Sequence, residues 1–490
     1  MWLFCIFPSY NFVVLPQNTA QQFTFKFNSF PGRHDSRFPV ITGGMPPETN
    51  RARSINMNVG KFLLTTATLG LLIPVSAHAE TAGAINTGDT AFVLISAALV
   101  MLMTPGLALF YGGMVRNKNI LGTLMQSFTA IAIITVQWVL FGYSLAFGPD
   151  IHGLIGGLDW AGLRGVGAEP NPDYAATIPH AAFMIYQAMF AVITPALITG
   201  AVAERMKFSA FFVFTLLWST FVYDPVAHWI WGAGGWLRTM GALDFAGGSV
   251  VHITSGISAL AAAIVVGKRK GYLKDAIYPH NLPMTVLGAG LLWFGWFGFN
   301  AGSALASGAL STMAFIATHI SAVGATLVWV VLEWLHRGKP TMFGAATGSI
   351  AGLATITPAS GFVGPMSALL IGCAAAGACY VALNMKNKLG YDDSLDAFGV
   401  HGVGGIIGML ATGLLAQKAI NPGAVDGLFF GNPGLFATQA VAVLATAVFS
   451  FIMTVALLKL TDLAVGLRVD EESEVIGLDI SQHGENGYTS

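Results

Sequence analysis

The sequence predicts an all-α membrane protein with eleven transmembrane helices, built as two inverted five-helix repeats followed by a final helix. Charged residues make up only 10% of the 490 residues, whereas 54% are hydrophobic, and the mean hydropathy is +0.67. Such a chain has too little polar surface to coat a water-soluble globule. Eleven apolar runs have about the 20 residues that a bilayer core requires, and a matching histidine in each half of the chain indicates the repeat.

Composition also excludes several functions. The formal net charge is −1 and no long basic run is present, so the chain lacks the clustered positive face that binds nucleic acid. Lysine follows glycine at positions 61, 268 and 339, but Ser or Thr never comes next, so no phosphate-binding loop of an ATP-driven pump is recognised. Cys373 and Cys379 suggest neither a disulfide nor a metal site. We expect no enzyme activity, no metal and no cofactor.

The first 79 residues are predicted to be a leader followed by a secretory signal peptide. Residues 57–79 have Lys61, an apolar stretch and Ala77-His78-Ala79 in the order of a secretory signal peptide. Residues 1–56 show no periodicity, and we expect translation to start at Met57; a genuine cytosolic extension is the alternative. Residues 80–466 should form the membrane domain and 467–490 a cytoplasmic regulatory tail.

The predicted spans follow one another through the rest of the chain. They cover residues 90–112, 120–147, 178–203, 208–231, 248–267, 281–301, 310–335, 341–357, 363–385, 397–416 and 435–459. Fourteen lysines and arginines fall in one set of alternate loops, and only Arg164, Arg238 and Lys418 in the other. The positive-inside rule then puts the mature N-terminus outside and the C-terminus inside, in a cell inner membrane, and a cleaved signal peptide requires the same orientation.

Two histidines occupy corresponding places in the fifth and tenth spans. His252 and His401 each follow a valine and precede a glycine by four residues, and each has an acid upstream, Asp244 and Asp396. An odd number of spans per half inverts the second half, so the two imidazoles can meet near the bilayer midplane at the interface of the repeats. A structural role as interhelical hydrogen-bond residues is the alternative to a functional one.

Aromatic residues form the second candidate feature. They are Phe190, Trp231 and the aromatic-rich run 296–303. Face-on rings bind a small cation with about 0.5 to 2 kcal/mol each. Lipid-facing belts and simple packing are the alternatives for aromatics in a membrane protein.

From Ala91 onward the sequence resembles the Amt ammonium transporters of the Amt/Rh superfamily. The matching stretches are Thr104–Gly113 (TPGLALFYGG), Asp244–Gly248 (DFAGG) leading to His252, Gly295–Ser303 (GWFGFNAGS), Asp396–Gly402 (DAFGVHG), Gly466–Val469 (GLRV) and His483–Asn486 (HGEN). These motifs occur in order over nearly 400 residues.

The resemblance implies a role for each matching residue. Ammonium would be recruited at an outer vestibule by Trp231, Phe190 and Ser303, with Asp244 supporting that site structurally. Phe190 and Phe299 would close the pore. Two departures are visible, because Tyr186 stands where the family often has phenylalanine, and the stretch between Trp231 and Asp244 is one residue longer.

Below the gate the resemblance implies a narrow apolar pore with the twin histidines His252 and His401, and Trp296 belongs to the same pore. The family forms homotrimers, and a PII-type signalling protein blocks its bacterial members from the cytoplasm. Ammonium resembles potassium in size but can lose a proton, so a dehydrating pore rejects the obligate ion. A buried histidine pair can relay the proton. The sequence does not determine whether net charge crosses the membrane; we favour electrogenic transport.

Two other functions are weighed against transport. The first is a membrane electron carrier that binds haem. Haem ligation requires histidines paired around one porphyrin, and no second pair accompanies His252 and His401. An ammonium sensor would signal through a cytoplasmic domain, and only about thirty residues follow Thr461. We therefore rank transport first and sensing second.

Overall fold

The computed structural model describes residues 85–488. The predicted leader, 1–56, and signal peptide, 57–79, lie outside the described residues. Ten helices of the described chain are long and apolar enough to cross a membrane, which confirms the helical, multi-pass prediction. The predicted eighth span is a shorter apolar helix, Met342–Ile356, of 15 residues. The count of eleven crossings stays a prediction.

The α-helices lie in the predicted spans, in the connections between them or, for the last one, in the predicted tail. In chain order they are Thr87–Met114, Ile120–Gln137, Tyr143–Phe147, His180–Val202, Phe208–Trp218, Asp224–Trp231, Trp236–Met240, Thr254–Val266, Leu282–Gly302, Ala309–Arg337, Met342–Ile356, Pro365–Leu389, Val403–Leu415, Pro433–Val465 and Glu471–Ile476. Five π-helical segments, Trp138–Gly142, Ser219–Tyr223, Gly248–Ile253, Phe398–Gly402 and Asp479–His483, interrupt or extend this series. Short 3₁₀ turns occur at Asn117–Asn119, Ala161–Leu163 and Leu428–Phe430.

One small departure from the all-helical prediction lies between the second and third spans. Strands β1, Asp150–Ile151, and β2, Ile155–Gly156, pair antiparallel. The Asp150 carboxylate accepts the Gly153 N–H at 2.7 Å and lies 2.9 Å from Nε2 of the buried His228. This hairpin is therefore tied to the helix Asp224–Trp231, whose last residue is a candidate site residue.

The first and sixth spans pack closely along each other. A side chain on Gly288 would overlap the backbone of Phe110, and one on Gly106 would lie 3.1 Å from Leu291 Cβ. Small residues allow membrane helices to approach in this way. The two spans are thus held together where the pore lining begins.

The loops predicted to face the cytoplasm contain a buried ion-pair network. Glu204 accepts hydrogen bonds from Arg116 and lies 3.1 Å from Arg269, which also makes a bidentate pair with Asp392 at 2.9 Å. Burial alone would raise the pKa of Glu204, but Arg269 and Arg116 hold it below its ordinary value. The same contacts join the loop after the third span to the loop before the tenth.

Arg205 lies at the centre of this region and is 0% exposed. Its guanidinium donates to the carbonyls of Ala201, Ala203, Gly267 and Asp392 and to Ser394 Oγ, over distances of 2.6 to 3.2 Å. Burial lowers its pKa to about 10. The rigid fork of arginine donors suits this set of acceptors.

The predicted tail packs against the same face. Val469 N–H donates to Arg205 O at 3.1 Å, and Glu474 pairs with Arg468 at 2.6 Å. Further along, the Asp479 carboxylate accepts the Gly122 N–H at 2.9 Å. The tail is thus held by the ends of several spans.

We predict that Arg205→Lys destabilises the protein by about 2–4 kcal/mol, because a single ammonium leaves several buried acceptors unpaired. The measurement is the apparent melting temperature of the detergent-solubilised protein, followed by tryptophan fluorescence. Arg337→Lys is the matched control, since that side chain is 54% exposed and lies 3.9 Å from Glu333. Equal melting temperatures for the two variants would contradict the structural role of Arg205.

Candidate functional site

The two predicted histidines lie in equivalent local structures. His252 is the next-to-last residue of the π-helical segment Gly248–Ile253, and His401 is the next-to-last residue of Phe398–Gly402. Each segment continues directly into an α-helix of 13 residues. π-helical turns inside helices are frequent at functional sites, because the extra residue redirects a side chain.

Each segment begins at a buried carboxylate that receives its free N–H groups. Asp244 accepts the N–H groups of residues 247–250 at 2.6 to 3.3 Å, and Asp393 accepts those of Ala397 and Phe398 at 3.1 and 2.8 Å. Each acid precedes its histidine by eight residues. Burial raises the pKa of both carboxyl groups, although the N–H donors oppose the shift.

This geometry corrects the pairing of Asp244 with Asp396. Asp396 lies five residues before His401 and has a left-handed φ of 63°, as Gly247, five residues before His252, has a φ of 116°. The Asp396 carboxylate forms an ion pair with Lys386 at 2.5 Å. Asp393, which the sequence analysis did not single out, is therefore the counterpart of Asp244.

The two half-length helices cross at glycines. A side chain on Gly256 would overlap the backbone of Gly402, and one on Gly405 would lie 2.8 Å from Gly248 O. These are the glycines that follow each histidine by four residues. Their contact brings the imidazoles together, with His401 Nδ1 3.2 Å from His252 Nδ1 and the rings inclined by only 12°.

The histidine pair lines a narrow apolar cavity. Besides the two imidazoles, its walls are Met103, Leu107, Phe110, Ile193, Leu197, Val251, Leu292, Trp296, Phe299 and Ile350. Its volume is about 10 Å³, the least that a single water needs. Within the described residues His252 Nε2 is buried without a hydrogen-bond partner. The Nε2 atom of His401 also has no hydrogen-bond partner in the part of the chain that the structure describes, so the pair leaves two free polar nitrogens in an otherwise apolar site.

Trp296 lies beside the pair. Its ring is stacked on His252 with centroids 5.6 Å apart, and its indole N–H donates to Thr357 Oγ1 at 2.9 Å. Because the indole N–H is used by Thr357, the ring presents only carbon atoms to the cavity.

The predicted gate is a stack of two phenylalanine rings above the cavity. Phe190 and Phe299 are each 1% exposed, and their ring centroids are 4.3 Å apart. Phe299 is 6.1 Å from the His252 ring, while Phe190 meets Trp231 at 5.9 Å and 90°. The stack therefore separates the histidine cavity from the region of Trp231.

Trp231, Ser303 and Asp244 lie together on the other side of the gate, lining a cavity of about 230 Å³. Trp231 Nε1 donates to Asp244 O at 2.9 Å, and Ser303 Oγ donates to Phe299 O at 2.9 Å. Tyr186 replaces the more usual phenylalanine, and its hydroxyl contacts Phe299 O at 2.8 Å and Ser303 Oγ at 3.2 Å. All predicted site residues are thus brought into one continuous column.

Other residues of this outer cavity were not predicted. They are Phe147, Asp173, Tyr174, Phe183, Gln187, Ile230, Arg238, Phe245, Leu305 and Phe362. Most come from loops and helix ends without a periodic signal. The equal spacing of Asp244 and Asp393 from their histidines, in contrast, was readable in the sequence.

Comparison with known proteins identifies the family. Residues 91–488 match the model of the Ammonium Transporter Family. The chain is 54% identical over 402 residues to an ammonium transporter of Bacillus subtilis, an alignment that covers 82% of this chain and 98% of that protein.

Solved structures of similar fold include Mep2 of Candida albicans, with a TM-score of 0.76 and 35% identity over 82% of this chain and 91% of Mep2. A structure titled a sensor Amt protein has a TM-score of 0.74 and 30% identity, covering 81% of this chain and 98% of that one. The family match and the identities together show that this chain belongs to the Amt/Rh ammonium transporter family.

Proposed function

We propose that this protein recruits ammonium at the outer aromatic vestibule, deprotonates it beneath Phe299 and conducts ammonia inward while His252 and His401 relay the proton. The observation that carries the proposal is the 3.2 Å approach of the two Nδ1 atoms inside an apolar cavity, next to the Phe190–Phe299 stack.

Recruitment is supported by the chemistry of the vestibule. The Trp231 ring lines the vestibule and can hold a cation by its face, with Phe190 packed at 90° to it below. Ser303 uses its proton on Phe299 O, and a hydroxyl oxygen keeps lone pairs after donating, so Ser303 can accept an N–H of ammonium. Asp244 supports the site indirectly, because its carbonyl orients the Trp231 indole and its carboxylate is occupied by backbone N–H groups.

Selection follows from dehydration below the gate. A monovalent ion that enters the histidine cavity loses its water and meets apolar side chains, which is costly for a charge. Ammonium can leave its proton behind and continue as a neutral molecule, whereas potassium cannot. A cavity with room for about one water therefore favours ammonia.

The histidine pair supplies a route for the proton. When one Nδ1 donates to the other, the donor ring has a free Nε2 and the acceptor ring carries its proton on Nε2. Protonation of the free Nε2, transfer of the Nδ1 proton across the bridge and release of the Nε2 proton from the second ring move one proton through the pair and reverse the two roles. His252 Nε2, which has no protein partner in the described residues, is suited to take the proton first. This relay makes transport electrogenic.

The architecture is proposed to be eleven spans in two inverted repeats, with the N-terminus outside and the tail in the cytoplasm of a cell inner membrane. Each histidine segment has an acid at minus eight, a left-handed residue at minus five and a glycine at plus four, which supports the repeat. The protein would act as a homotrimer whose cytoplasmic face docks a PII-type protein.

A measurement of ammonium flux distinguishes a transporter from an ammonium sensor. The purified protein in liposomes should give an ammonium-elicited current in a solid-supported-membrane measurement, and potassium should give none. A protein that binds ammonium without any current or flux would instead be a sensor, and the proposed transport would be wrong.

His252→Ala and His401→Ala are each predicted to lose ammonium-elicited current by about 100-fold or more, the scale of a lost proton-transfer group. Assembly should be unchanged by size-exclusion chromatography. His319→Ala, at an exposed histidine of the span Ala309–Arg337, is the control. Wild-type current and wild-type discrimination against potassium in both variants would leave the pair a structural hydrogen bond.

Trp231→Leu is predicted to raise the half-saturating ammonium concentration about 2- to 30-fold, which corresponds to the loss of one cation–π contact of about 0.5 to 2 kcal/mol. Expression should match that of the control Trp334→Leu, whose side chain is 60% exposed. Unaltered half-saturation and unaltered preference over potassium would contradict the vestibule assignment.

Truncation after Val469 is predicted to abolish binding of a purified bacterial PII-type trimer, because it removes the tail while keeping the Val469–Arg205 hydrogen bond. Pull-down on the reconstituted protein measures the effect, and truncation after Tyr488 is the control. Full binding to the shorter protein would place the docking surface elsewhere.

A further inference from the structure

Two ionised side chains line the mouth of the vestibule without a part in the proposed pathway. They are Asp173 and Arg238, both exposed. The third charged residue of the lining, Asp244, directs both carboxylate oxygens at backbone N–H groups. The charge that an approaching cation meets at the mouth is therefore dominated by Asp173 and Arg238.

Arg238 is held in place by main-chain oxygens. Its guanidinium donates to Trp231 O at 2.6 Å and to Asp173 O at 3.2 Å, and it lies 5.9 Å from the centre of the Tyr174 ring. Tyr174 is itself held, since its hydroxyl donates to Phe147 O at 2.6 Å and accepts the Ala233 N–H at 3.0 Å. An arginine in this position is fixed on the last carbonyl of the helix that carries Trp231.

No carboxylate within residues 85–488 lies within ion-pair distance of Arg238. The guanidinium is thus a positive charge held at the wall of a cavity proposed to attract cations. Its hydrogen-bond partners do not neutralise it, because main-chain carbonyls accept from its donors without carrying a net charge. A fixed positive charge repels cations, so packing alone does not explain an arginine at a mouth proposed to recruit them.

We propose that Arg238 sets the apparent affinity of the vestibule for cations: its fixed charge raises the ammonium concentration needed for half-saturation, with Asp173 acting in the opposite direction. The inference rests on the proposed function. A unit charge at the wall of a water-filled mouth changes the binding free energy of a nearby cation enough to alter occupancy about two- to fivefold. Because both groups are exposed, salt should screen the effect.

The test compares charge changes at the mouth in the solid-supported-membrane assay. At an ionic strength of about 10 mM, Arg238→Gln should lower the half-saturating ammonium concentration about two- to fivefold, and Asp173→Asn should raise it by a similar factor. Both shifts should disappear at about 1 M ionic strength. Asp173→Asn keeps the backbone carbonyl that Arg238 uses.

Two further variants separate charge from position. Arg238→Lys keeps the charge but not the forked contacts, and it should retain the ionic-strength dependence of the wild type. Arg164→Gln is the matched control, because Arg164 is exposed, also donates to backbone carbonyls and lies outside the vestibule lining. Its half-saturating concentration should equal that of the wild type.

Equal half-saturation in wild type, Arg238→Gln and Asp173→Asn at low salt would overturn the inference. An increase of the half-saturating ammonium concentration in both Arg238→Gln and Arg238→Lys, unaltered by salt, would also overturn it. That result would mean that Arg238 acts through its hydrogen bond to Trp231 O and not through its charge. Absence of any current in the wild type would instead refute the proposed transport function, so the two failures are distinguishable.

Discussion

Backbone N–H groups at a helix start buried in the protein have to find acceptors, and each one left unpaired costs about 1–3 kcal/mol. Asp244 and Asp393 meet this demand at the beginnings of the two segments that carry the histidines. Because these acids accept the first N–H groups, the two histidine segments can begin inside the protein. The two imidazoles are therefore buried as well. Trp231 depends on the same feature, since its indole is bound by the Asp244 carbonyl. The capping carboxylates thus position both the vestibule and the pore.

The two cavities of the proposed pathway differ sharply in the polarity of their linings. Outside the Phe190–Phe299 stack, hydroxyls and charged groups line a cavity of about 230 Å³; inside it, the two imidazoles are the polar groups of a lining that is otherwise carbon-rich. The Trp296 and Tyr186 polar atoms are bonded to protein acceptors, which removes them as alternative sites for water or ions. Within the described residues His252 Nε2 has no protein partner, which leaves it available to the cargo or the proton.

Much of this arrangement could be predicted from the sequence, because apolar run length, basic loops and the paired histidines are local signals. The glycines four residues after His252 and His401 were visible as well, although their role at a helix crossing was not. The sequence offered Asp396 as the acid upstream of His401, but in the structure Asp396 has a left-handed φ and pairs with Lys386, and Asp393 receives the N–H groups. Arg238 gave no signal, since its acceptors are carbonyls of Trp231 and Asp173, which any residue could supply.

The acceptors around Arg205 have a consequence for the order in which the chain assembles. Ala201 and Ala203 are neighbours in sequence, but Asp392 and Ser394 are made nearly 190 residues later. The full set of acceptors exists only once that later segment has been synthesised. Arg205 can therefore complete its hydrogen bonds only when the two halves of the chain associate.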